Sequence, residues 1–103
     1  MTNQDLLTVV REYDSPIYVY DASKMEAQYK RLSSAFSKVK KVKINYAVKA
    51  LSNISVLKLL HSFGAGMDTV SIQEVKLALD AGVPSEKIIY TPNGVSLEEI
   101  EKA

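Results

Sequence analysis

The chain has 103 residues, 47% of them hydrophobic and 24% charged, with a net charge of +1 and no cysteine. Those values fit one small globular domain and argue against a disordered chain, a basic nucleic-acid-binding face or an electrostatic draw to membranes. They also exclude a disulfide framework, a thiolate nucleophile and a cysteine metal site. No apolar run is long enough to cross a bilayer. The start, Met1 to Asp5, has neither the basic flank nor the apolar core of a signal peptide, so a cytoplasmic location is expected.

Ile17–Tyr20 is rich in β-branched and aromatic residues and is predicted as a short strand, with Pro16 just before it. Asp21 or Ser23 can cap the helix that follows, and Ser23-Lys24-Met25-Glu26 matches a capping box. That helix is predicted to run to about Phe36, with Met25, Tyr29, Leu32 and Phe36 on one face. Residues 42 to 48 are predicted as the second strand. Val42, Ile44, Tyr46 and Val48 alternate with Lys43, Asn45, Ala47 and Lys49, so the two sets should face opposite sides. The polar set either meets solvent or lines a barrel interior, where small Ala47 would leave room for a ligand beside Lys49.

Ser52 or Asn53 caps the next predicted helix, whose stripe is Val56, Leu57, Leu60 and Phe63, and Gly64 suits its stop. Met67–Val70 reads as a third strand. Ser71-Ile72-Gln73-Glu74 is a second capping box, leading into a helix containing Val75, Leu77, Ala78 and Leu79 that Gly82 and Pro84 end. Ile88–Thr91 is a fourth strand, and Ser96-Leu97-Glu98-Glu99 opens a final helix with a third capping box. His61 is the one histidine and reads as a surface or boundary residue.

Strand, capped helix and glycine stop therefore recur about every 20–25 residues, the spacing of βαβ units on a parallel sheet. A doubly wound sheet and the opening of a (β/α)₈ barrel both fit. In either, chemistry gathers where strands end and helices begin. Those positions hold Lys49, Asp68 with Ser71, and Thr91 with Asn93. The segment Tyr46-Ala47-Val48-Lys49-Ala50 stands out, because it places a lysine at the end of an apolar strand. Desolvation there would favour the neutral amine, the form that attacks aldehydes. The plain alternative is a lysine whose stem packs at a strand end while its head reaches water.

Tyr46–Ala50 resembles the cofactor-lysine motif of the fold-type III pyridoxal-phosphate decarboxylases. The likeness extends over Ser15–Asp21, Asn53–Leu57, Gly64–Ser71 with Glu74, Ala78–Pro84 and Lys87–Tyr90, in order and at the family's spacing. It implies an α/β fold, the N-terminal portion of a (β/α)₈ TIM barrel of the alanine-racemase-like type, lacking the C-terminal β-domain. Residues 1–38 would lead into the barrel and 39–103 would form its first part, with Ile17–Tyr20 joining the β-sandwich. The resemblance implies pyridoxal 5'-phosphate as cofactor and Lys49 as its covalent anchor and catalytic residue. It places Asp68, Ala47, Thr91 and Glu74 around the cofactor, although the capping box already accounts for Glu74. No metal is implied.

The implied activity is decarboxylation of a small amino acid within a homodimer. The nearest pattern is that of the branch acting on meso-diaminopimelate to make lysine. Ornithine-, arginine- or carboxynorspermidine-type activity is the alternative, as is a non-catalytic cofactor-binding barrel. A flavodoxin-like interaction module, with Lys49 an ordinary strand-end residue, is a further reading from outside the family. Leu51 stands where the family has asparagine, Ile72-Gln73 where it has a glycine pair, and Thr91–Val95 is shifted against its glycine-asparagine-glycine-lysine pattern. These departures bear on substrate choice and leave the lysine in place. A fragment of this length is expected to be inactive alone, since half a barrel leaves strand edges unpaired.

Overall fold

The computed structural model describes residues 1–103. Its elements in chain order are α1 (Asn3–Tyr13), α2 (Ala22–Ala35), β1 (Asn45–Ala47), α3 (Ile54–Ser62), β2 (Gly66–Thr69), α4 (Ile72–Asp80), β3 (Ile88–Tyr90) and α5 (Leu97–Lys102). The three strands form one parallel sheet in the order β1-β2-β3. Asn45 pairs with Gly66 and Ala47 with Asp68, while Met67 pairs with Ile88 and Thr69 with Tyr90.

This order, with no reversal, is shared by consecutive units of a barrel wall and by one half of a doubly wound sheet, whose reversal and second helical layer come only at its switch point. Here Val56, Leu57 and Leu60 of α3, Ala78 of α4 and Met67 of β2 share one buried cluster with Val48, Ala65, Ala81 and Val83. Both crossover helices therefore lie on the same face of the sheet. That is the arrangement of consecutive βα units in a barrel wall.

Alternation then assigns the strand faces. Met67 and Thr69 are fully buried beneath the helices, whereas Asp68 between them is half-buried on the open face. Leu57 and Met67 are the largest side chains with no exposure at all, and they centre the core. On the N-terminal side, Met25 and Tyr29 of α2 pack against the same cluster, and the Tyr29 ring lies 5.7 Å from that of Phe63.

Helix starts follow the expected chemistry in most places. The Asn53 side chain accepts from the Ser55 and Val56 N–H groups, Ser71 from Glu74, and Ser96 from Glu99, whose carboxylate returns to the Ser96 N–H. Gly64 and Gly82 close α3 and α4 at φ of 106° and 87°, where a β-carbon is strained.

Several expectations are corrected. Ile17–Tyr20 pairs with nothing and is not a strand, because a strand exists only through its ladder. The cap of α2 is Asp21, which accepts from the Lys24 N–H, and Ser23 lies inside the helix, so no capping box forms at Ser23–Glu26. Leu32 and Phe36 share the predicted face with Met25 and Tyr29 but remain 47% exposed. The strand predicted over residues 42–48 is cut to Asn45–Ala47, because β1 is bonded to β2 alone. Leu79 is exposed as well, so the buried face of α4 is carried by Val75 and Ala78. Helix α1 is an unanticipated element. Its signal was Thr2-Asn3-Gln4-Asp5, a capping box in which Thr2 and Asp5 each satisfy a backbone donor of the other.

Candidate functional site at the C-terminal rim of the sheet

Parallel register brings Ala47, Asp68 and Ile89 into one row on the open face. Thr91 lies two residues beyond Ile89 and faces the same way, since its hydroxyl donates to Asp68 Oδ1 at 2.7 Å. The Thr91 N–H donates to the Thr69 carbonyl at 2.8 Å, extending the β2–β3 ladder past the last strand residue. Across the same strands, the Thr69 hydroxyl donates to the Ile89 carbonyl at 2.8 Å. The rim holding Asp68 is thus tied by backbone and side chain at once.

Lys49 stands on the neighbouring rim. The chain leaves β1 into a single 3₁₀ turn, Val48–Ala50. Val48 is fully buried and anchors that turn, while Lys49 is exposed. Two further bonds hold the turn. The Tyr46 phenol donates to the Leu51 carbonyl at 3.2 Å, and the Ser52 hydroxyl donates to the Val48 carbonyl at 3.1 Å. Burial pushes the Tyr46 phenol above its ordinary acidity range, so it stays a neutral donor at physiological pH. The Asn53 cap then starts α3 three residues after Ala50. The pentapeptide therefore works as a mount: Val48 points in, Tyr46 clasps the loop, and the lysine projects.

The predicted desolvation of Lys49 is not met within these residues. Strand β1 ends at Ala47, and the lysine sits on an exposed turn rather than in an apolar strand. Its amine makes no ion pair, and none of the three ion pairs present involves Asp68. Of the five residues implicated by resemblance, the fold joins Asp68 and Thr91 directly, sets Ala47 beside Asp68 in register, and places Lys49 on the turn that follows Ala47. Glu74 is occupied elsewhere. Its carboxylate accepts from the Val70 N–H at 2.7 Å, fixing the turn between β2 and α4. The capping box is thereby altered, because Glu74 bonds the residue before the cap rather than Ser71 itself. His61 is half-buried with Nδ1 3.4 Å from the Ala65 carbonyl, a boundary residue away from this rim.

A projecting amine, a half-buried carboxylate with one oxygen unbonded, and a one-carbon side chain between them form a rim suited to an aldehyde-bearing cofactor. The amine can bond to the aldehyde, the carboxylate can stabilise positive charge near it, and Ala47 leaves space for a flat ring. Consecutive βα units with a lysine after the first strand fit a barrel-type domain, a class in which chemistry gathers at the C-terminal ends of the strands. The family model described as "Pyridoxal-dependent decarboxylase, pyridoxal binding domain" matches residues 22–103. The chain belongs to that family.

Among similar proteins, a diaminopimelate decarboxylase of Campylobacter jejuni is 40% identical over 99 residues, covering 96% of this chain and 24% of the relative. The solved structure of Helicobacter pylori diaminopimelate decarboxylase complexed with L-lysine is 37% identical with a TM-score of 0.83, covering 98% of this chain and 25% of that one. A Vibrio vulnificus lysine/ornithine decarboxylase complexed with putrescine is 26% identical with a TM-score of 0.86, covering 96% of this chain and 26% of its own. The chain thus spans about a quarter of the length of the relatives it matches. No helix is long and apolar enough to cross a membrane.

Proposed function

We propose that the protein containing this segment is a pyridoxal-phosphate-dependent carboxy-lyase that converts meso-diaminopimelate to L-lysine, with Lys49 as the covalent anchor of the cofactor. The observation that carries this reading is the placement of Lys49. A side chain held outward by a buried neighbour, at the C-terminal end of the first strand and beside an acidic rim, is what an aldehyde-bearing cofactor requires. Sequence likeness to diaminopimelate decarboxylases over nearly the whole chain supports the substrate.

Bound pyridoxal phosphate would supply an electron sink for the pair released when the carboxyl carbon leaves. The chain's own residues would do the rest of what lies on this rim. Lys49 would hold the cofactor and, once freed, carry a proton at Nζ. Asp68 would set a negative charge beside that nitrogen and favour its protonated form. Ala47 would admit the ring where a larger side chain would block it, and Thr91 would complete the Asp68 wall. Glu74, through Val70, would hold the β2–α4 turn in place rather than touch the cofactor. Residues 1–38 would lead into the barrel and 39–103 open it, in a cytoplasmic homodimer.

The test is reductive trapping of the full-length protein with pyridoxal phosphate and borohydride, followed by peptide mapping and an assay of carbon dioxide release. Label on Lys49 and release from meso-diaminopimelate are expected, and Lys49→Ala should lose both. Label on another lysine would refute the site. Structural likeness to the Vibrio lysine/ornithine decarboxylase favours a second reading, in which label appears on Lys49 but ornithine or lysine is the substrate turned over.

A further inference from the structure

The Thr91 hydroxyl has a single proton, and of the two acceptors in reach Asp68 Oδ1 at 2.7 Å takes it over the Thr69 carbonyl at 3.4 Å. Its backbone N–H is spent on the Thr69 carbonyl. Thr91 therefore has no donor left for a ligand. Asp68 Oδ2, by contrast, accepts from nothing in this chain, and the row it shares with Ala47 and Ile89 faces the open side. A carboxylate on a freely rotating χ2 presents either oxygen in a broad range of orientations. One bonded to a hydroxyl that is itself fixed to the neighbouring strand presents one oxygen in one direction.

We infer that Thr91 is a positioning residue that sets the plane of the Asp68 carboxylate and aims Oδ2 at the cofactor, rather than a direct cofactor ligand. This rests on the proposed site and assigns Thr91 its part in it. The geometry that makes it work is the parallel register. Thr91 is the first residue past β3, and its backbone bond to Thr69 holds the hydroxyl over the residue before Thr69, which is Asp68. A β-branched residue suits the place, since its restricted χ1 keeps the hydroxyl from rotating away.

The test uses the full-length protein and three variants. Thr91→Val keeps the shape and the backbone bond and removes the donor, Thr91→Ser restores the donor, and Asp68→Ala removes the acceptor. Cofactor affinity, measured by equilibrium dialysis, should fall roughly five- to tenfold in Thr91→Val, the loss expected for one typical intramolecular hydrogen bond. It should return to within about twofold of wild type in Thr91→Ser, which carries the same hydroxyl donor. In the Asp68→Ala background, Thr91→Val should have no further effect. A double-mutant cycle on urea unfolding of the cofactor-free protein should show coupling between positions 68 and 91.

An undiminished Thr91→Val effect in Asp68→Ala would mean that Thr91 contacts the cofactor itself, and would overturn the inference. Absence of coupling in the cofactor-free protein, or failure of serine to rescue, would do the same. If trapping labels a lysine other than Lys49 in the wild-type protein, the site reading falls and this inference falls with it. That outcome is recognisable because the Asp68–Thr91 coupling, measured without cofactor, would still be seen.

Discussion

Replacing Gly66 with alanine sets two opposed effects against each other, and the structure decides the sign. Gly66 opens β2 and does not occupy the left-handed region, so alanine meets no backbone strain there. Restricting the unfolded chain would by itself stabilise by about 0.4–1 kcal/mol. The added β-carbon, however, would overlap the Asn45 side-chain oxygen on β1 and lie 2.8 Å from the Lys87 carbonyl oxygen beside β3. The first neighbour can rotate away, whereas the second is backbone. Overpacking of this kind costs about 1–3 kcal/mol, so the net effect is a loss of roughly 0.5–2 kcal/mol.

With a urea slope of about 1–3 kcal/mol per molar, the unfolding midpoint of the full-length protein should fall by about 0.2–2 M. Adding Asn45→Ala should recover part of that loss, because only the side-chain half of the clash is removable. Asp68 and Ala47 lie two residues beyond the Gly66–Asn45 pair on their strands, so prying the strands apart there should also weaken cofactor retention. A midpoint unchanged or raised in Gly66→Ala would refute the close approach of the three strands at this end of the sheet.

Three other outcomes follow from named contacts. Asn53→Ala removes the acceptor for two backbone donors at the start of α3 and should cost about 1 kcal/mol in urea unfolding. Because that cap anchors the segment that follows the Lys49 turn, cofactor labelling should slow, whereas Asn53→Asp should leave both measurements near wild type. Leu57→Ala empties the centre of the core and should cost about 2–5 kcal/mol, with a loss under 1 kcal/mol counting against the assigned helix face. The Lys24 N–H and the N-terminal ammonium hold the Asp21 carboxyl below its ordinary value of 3.8. A depressed folded value means that the contribution of Asp21 is present above that ordinary value and is lost as pH falls through the folded one. Circular dichroism followed from about pH 5 to pH 2 should therefore show an acid loss of helicity that Asp21→Asn flattens. An unchanged acid limb would remove Asp21 from the account.

The candidate site was legible in part, and the reasons differ residue by residue. Lys49 could be found because its pentapeptide is distinctive. The sequence could not show that the strand stops at Ala47 and that the lysine rides on an exposed 3₁₀ turn. Strand length depends on partners, and β1 is bonded on one side only. Asp68 and Thr91 were both candidates, yet their hydrogen bond spans 23 residues of chain and exists only through register. Glu74 was ambiguous because a glutamate three residues after a serine can close a capping box or reach elsewhere, and it took the Val70 N–H. Ile17–Tyr20 misled for the converse reason, since strand-like composition has no force without a ladder to join.

What the sequence determined by itself was local. Asn53, Ser71 and Ser96 begin helices, Gly64 and Gly82 end them, and apolar spacing marks the sides of α3 and α4 that are buried. Each depends on atoms within a turn or two of chain, so the residues alone suffice. The strand order, the single helical layer, the row through Ala47, Asp68 and Ile89, and the tie from Thr91 to Asp68 were decided by tertiary structure. These are relations between segments about twenty residues apart, and only packing of the helices over one face of the sheet brings such segments into register.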